Sequence, residues 1–282
     1  MIHPLRALAY LFGALALVAV LYAILIFRTP LQAEPGIEVE VPPPTDLAPD
    51  PDPEPAIYKY IPPPVDLVDH QKRYDSLIAV ISAKRVAWAS LYRNAESETG
   101  KKDVIKDAGS FLHTSLSAAV FPAWYGTEWD FNGYTNNPRD GLVACGYFVS
   151  TPLKHIGLKL NRYTLAQQAA SNIIKSLCPA EDYITIGNND FDRMLSYVES
   201  RPDNLYVIGL DNHVGFIERR NGKTNFIHSS YIDASCGCVL SEDARKSPVL
   251  PYSNIYVIGH ISDNEMLIKK WLFSEHVTIV KS

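Results

Sequence analysis

The chain has no long basic run and no arginine-rich helix, although 26 of its 282 residues are lysine or arginine. A nucleic-acid partner needs clustered positive charge, so this lack argues against one. A glycine-rich phosphate loop and a G-x-S-x-G nucleophile turn are both missing as well. One C-x-C pair without a second paired cysteine cluster is a weak zinc signature. We therefore expect no nucleic acid, no metal and no cofactor.

Charge is also missing from residues 7–27, an apolar run between Arg6 and Arg28. About 20 apolar residues suffice to cross a bilayer as a helix, so residues 1–28 predict a membrane anchor. A cleaved signal peptide is the alternative, with its nearest cleavage site at Ala33-Glu34. Both interpretations place the rest of the chain outside the cytoplasm, in the periplasm or cell envelope.

Residues 29–65 change character abruptly, with twelve of the chain's 20 prolines and seven acidic residues against one lysine. Such a segment buries little apolar surface, so we predict an extended, solvated linker. The remaining residues, 66–282, are enough for one sizeable domain.

Cysteine is scarce, with four in the whole chain: Cys145, Cys178, Cys236 and Cys238. In an oxidising compartment an unpaired thiol is unusual unless it has a function. A disulfide from Cys178 to Cys236 or to Cys238 is one possibility, and closure of the C-G-C pair on itself is another.

Helical periodicity comes first in the domain and strand periodicity follows. The patterns predict helices over 67–95 and 103–120, with Pro122 ending the second, a helix from about Cys145 that Pro152 kinks or shifts, and a helix over 164–176. They predict strands over 205–210, 213–218, 224–230 and 255–261, with a hairpin turn at Asn221-Gly222. This order indicates an α+β domain in which helices pack on one side of an antiparallel sheet.

Three residues combine into a candidate catalytic group. Cys145 is predicted at the start of a helix, where the macrodipole and unpaired backbone amides favour the nucleophilic thiolate. His213 opens a strand after Asp211-Asn212, and His228 lies on the next strand. Paired strands bring two such imidazoles together, so that His228 orients His213.

Three segments resemble motifs of the NlpC/P60 cysteine peptidases. Residues 140–149, DGLVACGYFV, resemble the family's nucleophile segment D-C-S-G-F-V. Residues 157–164, GLKLNRYT, with Gln167, are similar to G-x-x-L-P-R-T-S-x-x-Q. HVGFI at 213–217 and FIHSS at 226–230 resemble H-V-G-I-Y and I-H-A-S. The resemblance implies a papain-like fold in which Cys145 attacks, His213 is the base and His228 orients it.

The resemblance also implies an oxyanion site that an aromatic residue before the cysteine helps to shape. Trp129 is the best match and Tyr134 the second, and the backbone at Gly146 completes the expected site. The chain departs from the family where Ala144 replaces an acidic residue and where Gly146-Tyr147 replace Ser-Gly. These departures concern the substrate pocket more than the nucleophile.

The sequence thus predicts a membrane-anchored, extracytoplasmic thiol hydrolase that cleaves an amide bond, with the stem peptides of peptidoglycan as the expected substrate. One alternative is an acyltransferase or transglutaminase-like enzyme on the same fold. The other is a non-catalytic module that binds the cell wall, with Cys145 locked in a disulfide.

Overall fold

A six-stranded antiparallel sheet forms the centre of the computed structural model, which describes residues 60–281. The strands are β1 (Tyr183–Ile186), β2 (Asn204–Gly209), β3 (Val214–Arg220), β4 (Lys223–Ser229), β5 (Val239–Asp243) and β6 (Tyr256–His260). Their order across the sheet is β1-β6-β2-β3-β4-β5. The four predicted strands are therefore confirmed as β2, β3, β4 and β6, whereas β1 and β5 are additions at the two edges.

Most of the helices precede the sheet in the chain. They are α1 (Leu67–Asn94), α2 (Glu98–Ser115), α3 (Phe121–Trp124), α4 (Cys145–His155), α5 (Arg162–Ala166), α6 (Ala170–Leu177), α7 (Phe191–Glu199) and α8 (Glu265–Phe273). Short 3-10 segments occur at Ala180–Asp182, Ala244–Lys246 and Leu250–Tyr252, and a π turn spans Leu116–Val120. The α+β class with an antiparallel sheet is confirmed.

Side-chain capping explains where the two long helices begin. The carboxylate of Asp66 accepts from the amide of Asp69 at the start of α1, and the Ser97 hydroxyl accepts from the amide of Gly100 at the start of α2. The prediction that Pro122 ends the second helix is wrong. The chain passes from α2 through the π turn into α3, where Pro122 lies in the first turn and its missing N–H leaves no hydrogen bond unmade.

The sheet is covered on both faces, which corrects the expectation of helices on one side. Leu205 and Val207 of β2 belong to a core that α1, α2, α4, α6 and α8 share. Tyr206 and Ile208 point the other way, into a second core that α7 and residues 244–250 cover. Alternate residues of a strand face opposite sides, so β2 is apolar on both.

Near the candidate nucleophile, one predicted helix is divided in two and another contains a proline. The helix predicted over 164–176 is two helices, α5 and α6, separated at residues 167–169. Pro152 lies inside α4, which still begins at Cys145 and continues to His155.

The membrane prediction falls on residues 7–27, which lie outside the described part of the chain. Within residues 60–281, no helix has the length and apolar character needed to cross a bilayer. The last residues of the predicted linker lie on the domain. The amide of Tyr60 donates to the carbonyl of Ser235 at 2.7 Å, and Arg139 donates to the carbonyl of Pro63 at 2.8 Å.

Gly109 of α2 gives a test of the packing between helices. A Cβ atom there would lie 2.0 Å from the backbone carbonyl oxygen of Ser262, which cannot move like a flexible side chain. We expect Gly109→Ala to lower the free energy of unfolding by about 1–3 kcal/mol, despite alanine's higher helix propensity. Urea denaturation measures this loss in the free energy of unfolding. Gly187→Ala is the matched control, because nothing lies within 4 Å of that added Cβ atom, and an equal loss in both variants would contradict the explanation.

Candidate active site

Cys145 is the first residue of α4, as predicted, and the loop before it is held by hydrogen bonds. The amide of Val143 donates to the carbonyl of Glu128 at 2.9 Å, and the buried hydroxyl of Ser229 on β4 donates to the carbonyl of Val143 at 2.7 Å. Ala144 is the N-cap and offers no capping side chain. The first amides of α4 therefore remain free to interact with the thiol or with a bound anion.

His213 and His228 lie in hydrogen-bonding contact, as the sequence predicts. His213 directly precedes β3 and His228 lies on β4, with His213 Nε2 and His228 Nδ1 2.8 Å apart. Continuing the β3–β4 register places residue 215 opposite 228, so the two histidines are diagonal neighbours on one face. Gly215 leaves room for this contact, since a Cβ atom there would lie 2.9 Å from the Cβ of His228.

Glu242 on β5 extends the pair, and sequence reasoning missed it. Its Oε1 lies 3.3 Å from His228 Nε2, a close charge contact, and neither atom has a hydrogen-bond partner of good geometry within residues 60–281. A carboxylate accepts a proton rather than donating one, so it favours the His228 tautomer that is protonated at Nε2. His228 Nδ1 is then an acceptor, and His213 Nε2 must donate to it. His213 consequently keeps Nδ1 as its basic nitrogen.

Cys145 and His213 line one cleft of about 180 Å³. The thiol also interacts with the backbone amide of Val214, the residue directly after His213. The rest of the lining is mostly small and uncharged: Gly146, Ala166, Gln168, Ala169, Ala170, Ile173, Asn212 and Val214, with Asp211 as its one acidic residue. The Asp211 carboxylate accepts from both the amide and the side chain of Asn254.

Burial decides the protonation states of the site. It raises the pKa of the Cys145 thiol, and the surrounding backbone amides only partly oppose this. Burial, with a smaller contribution from His228, lowers the pKa of His213 well below its usual value. Burial also lowers the pKa of His228, against the opposing effect of Glu242. The resting site is thus a neutral thiol beside a neutral imidazole, which corrects the expectation of a thiolate.

The structure separates the two aromatic candidates for the oxyanion site. Trp129 is half-buried, and its ring centroid lies 6.1 Å from that of Tyr231, which in turn lies 5.4 Å from His213. Tyr134 is 61% exposed and packs against Tyr147 instead, 6.2 Å between ring centroids. Trp129 is the candidate that shares a neighbour with His213. Tyr231 itself was not predicted, because no sequence motif marks it.

Gly146 is required by the packing of α4 against α5. A Cβ atom at this position would lie 2.3 Å from the carbonyl oxygen of Ala166. This contact explains why the serine that the NlpC/P60 motif has here is absent. Its amide interacts with the Cys145 thiol, and its role in an oxyanion site stays a prediction.

The cysteines pair within the C-G-C segment, one of the predicted alternatives. Cys236 and Cys238 form a disulfide, whereas Cys145 and Cys178 are free thiols. The alternative pairing of Cys178 is wrong, because that side chain is buried beneath β6 and donates to the carbonyl of His260 at 3.2 Å.

A larger cavity, about 820 Å³, lies between α2 and the opposite end of β2 and β3. It is lined by Lys102, Lys106, Arg201 and Arg220, among others, and includes none of the predicted site residues. The candidate site is therefore the smaller cleft, which Cys145 and His213 both line.

The raised pKa of Cys145 predicts how its alkylation responds to pH. A thiol becomes reactive as it loses its proton, so labelling by iodoacetamide should be slow at pH 7 and increase through the ordinary thiol pKa of about 8.5 and beyond. Mass spectrometry of the modified peptide measures the rate, with Cys145→Ala as the blank. A rate already at its plateau below pH 7 would instead indicate a thiolate–imidazolium pair.

Serine at position 146, as in the NlpC/P60 motif that the segment resembles, should destabilise this chain. We expect Gly146→Ser to lower the melting temperature by several degrees, because the Ala166 carbonyl is backbone and α4 must shift. Thermal unfolding followed by circular dichroism measures this loss. Gly187→Ser is the matched control in open space, and a Gly146→Ser chain as stable as wild type would show that α4 tolerates the side chain.

Comparison of the chain with profiles of known protein families, with curated proteins and with solved structures found no match.

Proposed function

We propose that this chain is an exported cysteine hydrolase that cleaves an amide bond, with Cys145 as nucleophile and His213 as base. The observation that carries the proposal is a series of three side chains beside the cleft that contains the free thiol of Cys145: His213 is hydrogen-bonded to His228, and His228 Nε2 lies 3.3 Å from Glu242 Oε1. Nucleophile, base and orienting group in this order are the general arrangement of an activated thiol.

The neutral resting state determines the first chemical step. Cys145 transfers its proton to His213 Nδ1 as its sulfur attacks the substrate carbonyl carbon, and the carbonyl oxygen becomes an oxyanion. His213 then carries a positive charge in a buried site. Burial alone would oppose this charge, because it lowers the pKa of the imidazole. The carboxylate of Glu242 stabilises the charge through His228.

Stabilisation of the oxyanion, protonation of the leaving amine and hydrolysis of the thioester complete the reaction. The uncapped amides at the start of α4 and the nearby amide of Val214 are the donors placed to hold the oxyanion. His213 returns its proton to the leaving amine, and the thioester on Cys145 remains. A water molecule, deprotonated by His213, then hydrolyses that thioester and restores the thiol.

The finer assignment rests on the resemblance to NlpC/P60 peptidases. A cysteine at the start of a helix that faces a histidine at an antiparallel sheet supports a papain-like arrangement. We propose peptidoglycan stem peptides as the substrate and a membrane-anchored, extracytoplasmic location. The apolar run at 7–27 and the proline-rich segment after it support that location.

The non-catalytic alternative depends on Cys145 being locked in a disulfide. Cys145 is instead a free thiol, and the bridge is formed by Cys236 and Cys238. This arrangement favours an enzyme over a scaffold. Acyl transfer differs from hydrolysis only in the final acceptor, so product analysis with an added amine distinguishes the two.

Variants along the series should lose activity in a graded order. We expect Cys145→Ala to abolish release of muropeptide fragments and His213→Ala to lower kcat/KM about 10³-fold, since it removes the general base. His228→Ala should cost roughly 10- to 100-fold, and Glu242→Gln less, because these side chains act only through His213. Chromatography of digested peptidoglycan measures each rate.

Cys178→Ala and His276→Ala are the matched controls for this series. Cys178 is a second free thiol outside the cleft, and His276 is an exposed histidine. Both should retain activity within about twofold. Release of the same fragments by Cys145→Ala would show that the thiol is not the nucleophile. Equal rates in His213→Ala, His228→Ala and Glu242→Gln would show that these side chains do not act as a series.

A further inference from the structure

Tyr231 lies beside the candidate site, although no motif assigns it a role. It lies two residues after the end of β4, and the residue is 43% exposed. Its centroid lies 5.4 Å from the His213 ring at an interplanar angle of 76°. An edge-to-face contact of this kind is a favourable aromatic packing.

The His213 imidazole is enclosed by three rings. Phe226 and His228 contact it from the sheet, with centroids at 6.0 and 5.0 Å, and Tyr231 contacts it from the loop. Only 4% of His213 is exposed. Phe226 and His228 are fully buried, so Tyr231 is the one ring of the three that lies between His213 and solvent.

The loop that carries Tyr231 is constrained at both ends of residues 230–238. The amide of Ser230 donates to the carbonyl of Cys238 at 2.9 Å, and the Cys236–Cys238 disulfide closes the far end. The carbonyl of Gly237, between the two cysteines, accepts from the amide of Trp129 at 2.8 Å. The disulfide therefore encloses the Gly237 carbonyl that binds Trp129, and the Ser230–Cys238 hydrogen bond closes the loop on which Tyr231 lies.

We propose that Tyr231 is a positioning residue for the reaction proposed above. Its ring, presented by the loop of residues 230–238, keeps water away from His213 and forms with Trp129 an aromatic wall for the part of the substrate next to the scissile bond. The wall is apolar and half-exposed, and the neighbouring cleft has no lysine or arginine among its lining residues. The substrate group that fits there is uncharged.

Removing the ring should expose His213, and this can be observed without any substrate. A histidine-selective NMR titration of the full chain should show the His213 pKa moving upward, toward its usual value, in Tyr231→Ala. Tyr231→Phe keeps the ring and should titrate like wild type. The His213 signal is assigned by its loss in His213→Gln. An unchanged His213 titration in Tyr231→Ala overturns the proposal.

The same variants separate shielding from binding in activity measurements. Tyr231→Ala should raise KM for a stem-peptide substrate roughly two- to tenfold, the loss expected for one aromatic contact, and shift the acid limb of kcat/KM to higher pH. Tyr252→Ala, an 81% exposed tyrosine outside the cleft, is the matched control and should change neither. If Tyr231→Ala keeps the wild-type KM and the wild-type acid limb, Tyr231 neither contacts the substrate nor shields His213.

Two further variants keep the test decisive. If Tyr231→Ala does not fold, Tyr231→Leu removes the ring while filling part of its volume, and it should move the His213 titration in the same direction. The double variant Cys236→Ser, Cys238→Ser should cause a smaller shift of the same sign. If wild-type protein cleaves no peptidoglycan, the proposed function fails, whereas the NMR titration still tests the role of Tyr231.

Discussion

The pairing of β3 with β4 is the constraint on which the candidate site depends. It places His213 and His228 as diagonal neighbours, with their ring nitrogens 2.8 Å apart. The same two strands supply Gly215, whose missing side chain makes room for the contact, and Ser229, whose hydroxyl holds the segment before Cys145. A register slip of one residue would turn every one of these side chains to the opposite face. His213 and the segment before Cys145 are thus both held by one hairpin.

Burial sets the chemistry of this site more strongly than the helix terminus does. Desolvation disfavours the charged form of each group, so it raises the pKa of the Cys145 thiol and lowers the pKa of both imidazoles. The uncapped amides of α4 act in the opposite direction on the thiol and are outweighed. In the proposed reaction, charge therefore develops only when the proton moves. The carboxylate of Glu242, at the far end of the histidine pair, is the opposite charge in that proposal.

Close packing explains how the chain departs from the motif that it resembles. Gly146 stands where the NlpC/P60 motif has serine, because the carbonyl of Ala166 occupies the space of a side chain. Tyr147, in place of glycine, packs against Tyr134 rather than entering the cleft. The departures therefore reshape the outer side of α4 and leave the helix start at Cys145 intact. The lining that results is small and largely uncharged.

The sequence by itself determined the α+β class, the helix that starts at Cys145 and the two histidines on adjoining strands, because local periodicity, capping and turn residues encode these features. Only the tertiary structure decided the place of Glu242 beside His228, which depends on the pairing of an unpredicted edge strand, and the place of Tyr231 beside His213. It also decided the protonation state of Cys145. Desolvation depends on which distant segments pack around a group, and no local pattern in the chain records that.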